Sequence, residues 1–224
     1  GLSEKSSKLR LGIFGKTVSD DSYVSLKEAI QHAAVELNHR LDITWLDDST
    51  DYKTDLHNQD ILIIAEGLRQ VEQKLYALEY ARKNKIPCLA ISFGMDLMIK
   101  EFLKNVEKIV ISIEEIEKPG NMVIRKGEFK CGSINFESTD NSKYEKLQYM
   151  ERTRCFSVIS DEINHKLSNT QLKVTAQGTE TRQPVVIELS NHPFFVGVRF
   201  HPEFLSHPGK PHPLFVSLVK SAMK

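Results

Sequence analysis

Two short stretches carry residue types that could do chemistry. In the first, Cys88-Leu89-Ala90-Ile91-Ser92-Phe93-Gly94-Met95-Asp96, an apolar segment passes into a helical one through a single hydroxyl residue. Its Ala-x-Ser-x-Gly pattern is one residue off the nucleophile elbow, Gly-x-Ser-x-Gly. In that elbow a sharp strand-to-helix turn exposes a serine hydroxyl above the sheet edge. In the second, His201-Pro202-Glu203 follows the apolar run 194–200. A strand has period two, so the imidazole and the carboxylate are expected to project to one side. Ser92, His201 and Glu203 have the types of a nucleophile, a base and an orienting acid. By themselves they are a weak signal, because a His beyond a strand more often makes a structural hydrogen bond.

The elements that must position them alternate. Residues 9–14 read as a buried strand closed by Gly15, and Ser22 is a plausible N-cap for a helix to about Leu37, with Tyr23, Leu26, Ile30 and Ala33 at helical spacing. Ile43, Trp45 and Leu46 suggest a second strand, and Ile61-Leu62-Ile63-Ile64-Ala65 is an apolar run of the kind covered on both faces in parallel sheets. A helix follows over 70–84, with Val71, Leu75 and Leu78 inward. Pro87 bars its continuation, and the strand 88–91 delivers Ser92 to a helix over 93–104. This alternation predicts an α/β domain with a mainly parallel sheet. In open α/β sheets the ligand crevice lies beyond the carboxyl ends of strands, where both Ser92 and His201 are expected.

From Val106 to Gln177 the pattern changes to short antiparallel segments and polar loops, including 114–121 and 133–143. This stretch is expected to be an excursion from the sheet, and strands at 172–176, 185–189 and 194–200 return to it. A helix over 212–223 closes the chain. The basic cluster Arg82-Lys83-Lys85 is expected at a solvated helix end, and His207 and His212, flanked by prolines, in surface loops. The chain of 224 residues is expected to form one domain, with 1–7 as a disordered or expression-derived tail.

Composition narrows the class. Thirty basic and thirty acidic residues cancel, which argues against a nucleic-acid binder. No apolar run approaches the ~20 residues of a membrane span, and the first residues lack the regions of a signal peptide, so a cytoplasmic protein is expected. The three cysteines form no C-x-x-C pair, which argues against a disulfide framework and a zinc site; neither a metal nor a cofactor is expected.

The run His-Pro-Phe-Phe-Val-Gly-Val-Arg-Phe-His-Pro-Glu-Phe-Leu-Ser-His-Pro-Gly-Lys-Pro-His-Pro-Leu-Phe at 192–215 closely resembles the C-terminal signature of the glutaminase domain of the CTP synthases, class I glutamine amidotransferases. The resemblance extends to Leu9-Arg10-Leu11-Gly12-Ile13-Phe14-Gly15-Lys16 with Asp21-Ser22-Tyr23, and to 81–105 around the elbow. It implies a flavodoxin-like α/β fold with a small antiparallel excursion. It also implies a Cys-His-Glu triad that hydrolyses glutamine and passes ammonia to a synthetase domain. A synthetase domain, a CTP synthase subunit or further copies of this chain are the partners it implies.

Residue by residue, the resemblance places His201 and Glu203 on the family's base and acid and Ser92 on its nucleophilic Cys. A serine hydroxyl depends on its base far more than a thiol does. The family's Pro-Gly-Gly-Phe-Gly oxyanion turn is reduced to Ala65-Glu66-Gly67-Leu68-Arg69. One Gly remains where several allow close backbone approach, and each lost oxyanion donor typically costs roughly 10²–10³ in rate. A carboxylate at Glu66 would add charge of the wrong sign if it pointed inward. The family's elbow Gln is Asp96, its carboxylate-binding Arg falls on Cys155 with Arg154 and Arg152 as neighbours, and the acidic segment after Asn105 is deleted. The expected function is therefore a pseudo-glutaminase, with a Ser-His-Glu hydrolase or peptidase acting on a small amide or ester as the alternative. A natural glutaminase whose Cys was replaced by design fits poorly with Glu66, Asp96 and Cys155.

Overall fold

The computed structural model describes residues 8–15, 23–46, 51–67, 69–114, 123–139 and 150–223, without the side chains of 114, 123, 125–130 and 156. In chain order the elements are β1 (Leu9–Phe14), α1 (Val24–Glu36), β2 (Leu41–Leu46), α2 (Tyr52–His57), β3 (Ile61–Ile64), α3 (Val71–Asn84), β4 (Cys88–Ile91) and α4 (Phe93–Asn105). There follow β5 (Ser112–Glu114), β6 (Val123–Ser138), β7 (Met150–Ile159), α5 (Asp161–Ser168), β8 (Leu172–Gly178), β9 (Pro184–Leu189), β10 (Phe195–Val198), a 3₁₀ helix (Pro202–Leu205) and α6 (Pro213–Ala222).

Strands run in the order β2-β1-β3-β4-β10-β9-β8-β6-β5, with β7 paired to β6. The first five are parallel, and β9, β8 and β6 continue antiparallel. Period-two alternation separates the two faces. Leu62, Ile64, Cys88 and Ala90 pack under α3 and α4. Ile61, Ile63, Leu89 and Ile91 face Leu26, Ile30 and Ala33 of α1 and Leu214, Phe215 and Leu218 of α6. Because both faces are covered, β3 and β4 are apolar at every position, as the sequence pattern anticipates.

α4 is buried on nearly all sides, from Phe93 to Leu103, and carries Asp96 and Glu101 inside. A buried carboxylate needs a partner. Glu101, 1 % exposed, takes a forked contact from Arg82 of α3, at 2.9 Å to Nε and 2.5 Å to Nη2. Arg82 is thus a bridge between α3 and α4 and not part of a solvated helix end. Cys88 is buried packing, and desolvation pushes its thiol well up.

Other differences have local causes. Tyr23 takes the N-cap position of α1 with φ 62°, and Ser22 lies outside the described residues, as do 1–7. The region after residue 106 is a long ribbon and not a set of short segments. β6 has 16 residues, pairs antiparallel with β7 through residue 135 and then joins the main sheet beside β8. β5 runs parallel to β6. Residues 133–138 of the expected loop are strand; 115–121 and 140–143 lie outside the described residues. His212 is buried at the N-cap of α6, where Nε2 lies 2.9 Å from the buried Glu151 carboxylate, so it is no surface-loop residue.

Candidate functional site

Ser92 ends β4 and begins α4 at φ 55°, ψ −114°, a backbone conformation that L residues rarely adopt. The turn is held by its own N–H, which donates to Val198 O on the neighbouring β10 at 2.7 Å, and by Met95 N–H donating to Ser92 O at 3.0 Å. It is also closely packed. A Cβ on Gly94 would stand 2.4 Å from Ile64 O, so only glycine lets α4 approach the end of β3. The elbow inferred from Ala-x-Ser-x-Gly is therefore present, with Ser92 2 % exposed.

His201 and Glu203 also meet, by a different route from the one the sequence suggests. β10 stops at Val198, and Pro202 starts the 3₁₀ helix that curls Glu203 back under His201. Nδ1 of His201 lies 2.8 Å from Glu203 Oε1, and the imidazole stacks on Phe204. With Nδ1–H donated to the carboxylate, Nε2 is the nitrogen left to accept a proton. Among the described residues Nε2 has no hydrogen-bond partner, Ser92 Oγ included. The group facing it is the Glu66 carboxylate, with Oε2 at 3.6 Å.

Glu66 is fixed there. Arg154 of β7 donates to its Oε2 at 3.0 Å. Each carbonyl from 65 to 67 accepts a side-chain donor. Lys74 Nζ donates to Ala65 O at 3.1 Å and to Gly67 O at 2.8 Å, and the Tyr23 hydroxyl donates to Glu66 O at 2.7 Å. Gly67, at φ 119°, supplies the one backbone bend that suits glycine. Burial pushes the Lys74 ammonium down to about 8, with the Glu66 carboxylate opposing the shift. Burial also pushes the Tyr23 phenol up, with Glu66 adding to the effect. The turn is a braced support for a carboxylate. Leu68, expected in the same turn, lies outside the described residues.

A second buried cluster occupies the first turn of α4. Asp96, fully buried, lies 2.7 Å from Arg199 Nη1, close but poorly aligned, since neither carboxylate oxygen reaches good hydrogen-bond geometry. Burial pushes the Asp96 carboxyl up, against the pull of the Arg199 charge. The same Nη1 donates to Ser157 Oγ at 2.5 Å and lies 3.7 Å from Cys155 Sγ. Asp96 and Cys155 are thus brought together, but through Arg199. Arg154 points instead at Glu66.

The family profile described as "Glutamine amidotransferase class-I" matches residues 18–221. The chain belongs to the class I glutamine amidotransferases. It is 36% identical over 238 residues to CTP synthase of Phytoplasma australiense and 32% identical over 243 residues to CTP synthase of Carboxydothermus hydrogenoformans. These matches cover 96% and 97% of this chain but 44% and 45% of those proteins, so it spans under half the length of these relatives. The Trypanosoma brucei CTPS glutaminase domain with bound acivicin shares the fold at TM-score 0.83 and 24% identity, over 96% of this chain and 93% of that one. A glutamine amidotransferase from Thermotoga maritima shares it at TM-score 0.58 and 13% identity, over 96% of each chain.

In this chain, sequence reasoning missed Lys74 and Arg199. Lys74 stands three residues after Val71 and four before Leu78, on the apolar stripe of α3. Arg199 interrupts the apolar run after Val198. A charged residue on an apolar face was the available signal in both cases. No helix among the described residues is long and apolar enough to cross a membrane.

Proposed function

We propose that this chain is a glutamine amidotransferase domain that no longer hydrolyses glutamine and serves a binding, regulatory or architectural role. The observation that carries the reading is the Glu66 carboxylate 3.6 Å from His201 Nε2, tied down by Arg154. The carboxylate takes the place facing Nε2 that a nucleophile would need in order to hand over its proton. The same anion opposes a developing oxyanion. Ser92 in place of a thiol and the Asp96–Arg199 pair at the elbow's first turn point the same way. Folded as a single domain in the cytoplasm, it would work beside a synthetase domain, a CTP synthase subunit or further copies of itself, and so join pyrimidine nucleotide synthesis. The test is glutamate release from glutamine by the wild type and by Ser92→Cys. Negligible turnover is expected in both, and appreciable turnover in either overturns the proposal.

The strained Ser92 backbone supports a second reading, a Ser-His-Glu hydrolase acting on a small amide or ester. A fluorophosphonate probe that labels the wild type and not Ser92→Ala would establish it; an unlabelled wild type would sink it.

A further inference from the structure

Ser92 is covered, and the order of the strands shows by what. β3, β4 and β10 are successive parallel strands of the sheet. Ile64 pairs with Ala90, so Glu66 and Ser92 each stand two residues beyond one paired position, and His201 follows the end of β10 at Val198. Neighbouring strands lie about 4.8 Å apart, which puts the ends of β3 and β10 roughly 10 Å from each other with the end of β4 between them. The side chains of Glu66 and His201 close that gap to 3.6 Å. A contact from β3 to β10 has to pass the end of β4, and Ser92 is the residue that stands there.

The cover is a side chain on a fixed base. Tyr23 and Lys74 hold the carbonyls of residues 65–67, so the backbone of the turn is anchored. The carboxylate is held from elsewhere: Arg154 reaches it from β7 with a side chain that is 54 % exposed. Rotation about the Glu66 side-chain bonds therefore breaks one solvent-facing ion pair, and such pairs are weak. What lies beneath is kept in order. The elbow retains its positive φ at Ser92, and Nδ1 of His201 keeps its 2.8 Å contact with Glu203, while Nε2 has no hydrogen-bond partner among the described residues. Backbone strain of this kind costs free energy whether or not the serine reacts.

We propose that the Glu66 carboxylate is a lid over a latent nucleophile: with the lid in place Ser92 is inert, and with it withdrawn His201 activates Ser92 toward a small electrophilic acyl or phosphonyl group. The inference rests on the reading that Glu66 shuts the site, and adds that this one side chain is what keeps the hydroxyl from reacting. In the reaction with a fluorophosphonate the Oγ–P bond forms and the P–F bond breaks; the Oγ proton passes to His201 Nε2 and fluoride leaves. Arg154 is a positioning residue, which acts only through Glu66.

The test is the rate at which a fluorophosphonate labels Ser92 in the full chain, with the modified residue located by mass spectrometry. Glu66→Gly is expected to label at least about a hundredfold faster than the wild type, the low end of what a positioned base contributes, and the gain should vanish when His201→Ala is added. Arg154→Ala should raise the rate about twofold to fivefold, the worth of one exposed ion pair, and Arg154→Lys should restore the wild-type rate. The proposal is overturned by a wild type that labels as fast as Glu66→Gly, by a folded Glu66→Gly whose Ser92 stays unlabelled, or by a gain that survives the loss of His201. If Glu66→Gly does not fold, Arg154→Ala decides, since it alters only a half-exposed side chain; an unchanged rate there overturns the proposal. Glutamate release by the wild type, which would sink the reading beneath it, is a separate measurement and leaves the comparison of labelling rates intact.

Discussion

Replacing Ser92 by glycine should make the protein more stable, against the usual effect of glycine. At φ 55°, ψ −114° a residue with a Cβ is strained by roughly 1–3 kcal/mol, and glycine relieves that strain. Against this, glycine leaves the unfolded chain freer, which costs about 0.5–1 kcal/mol relative to alanine. Ser92 loses little else, because its side chain caps no helical N–H. The net expectation is a gain of up to about 2.5 kcal/mol. For a domain of this size, at about 2–4 °C per kcal/mol, that is a rise of up to roughly 10 °C in melting temperature. Ser92→Ala keeps the Cβ and hence the strain, so it is the control. Urea denaturation and calorimetry of the two variants should place glycine above alanine, the reverse of their order at an ordinary position. If Ser92→Gly is the less stable of the two, the elbow is not strained and the argument for a retained catalytic turn fails.

Lys74 gives a pH-dependent prediction. Burial lowers its pKa from 10.5 to about 8, so between those values the unfolded chain holds a proton that the folded one has released. Stability should therefore rise with pH across this window, by up to about 3 kcal/mol, and below pH 8 the folded state bears the full penalty of the buried ammonium. The difference in urea midpoint between the wild type and Lys74→Met should shift in favour of the wild type from pH 7.5 to pH 10; a constant difference would contradict the burial effect. Gly94→Ala puts a methyl against the backbone oxygen of Ile64 at 2.4 Å and should lower stability by about 1–3 kcal/mol, read as a lower melting temperature. An unchanged melting temperature would show that α4 can move away from β3.

The parallel half of the fold was legible because its strands are apolar at every position. Ile61–Ile64 and Cys88–Ile91 are buried on both faces, and a run with no polar interruption has few other destinations. The ribbon was not legible: β6 carries few apolar residues over its length, so it shows neither strict alternation nor a continuous apolar run. α2 and α5 are too short for periodicity to identify them, although Ser160 caps α5 by accepting from Ile163 N–H, with Asp161 and Glu162 in its first turn. At the site, Ser92, His201 and Glu203 could be found from residue type and spacing. The inward turn of Glu66 could not, because it depends on Arg154 approaching from a strand 88 residues away in sequence.

The buried Asp96–Arg199 pair bears on how the chain could change over generations. Altering either residue alone leaves the other as an unpaired charge in the interior, at roughly 3–5 kcal/mol. A domain of ordinary stability has about 5–15 kcal/mol in total, so each one-step intermediate gives up a large share of it. The two positions are expected to change together or not at all. Whatever residues once stood there, the pair acts as a ratchet: once both charges are inside, single substitutions offer no easy way back.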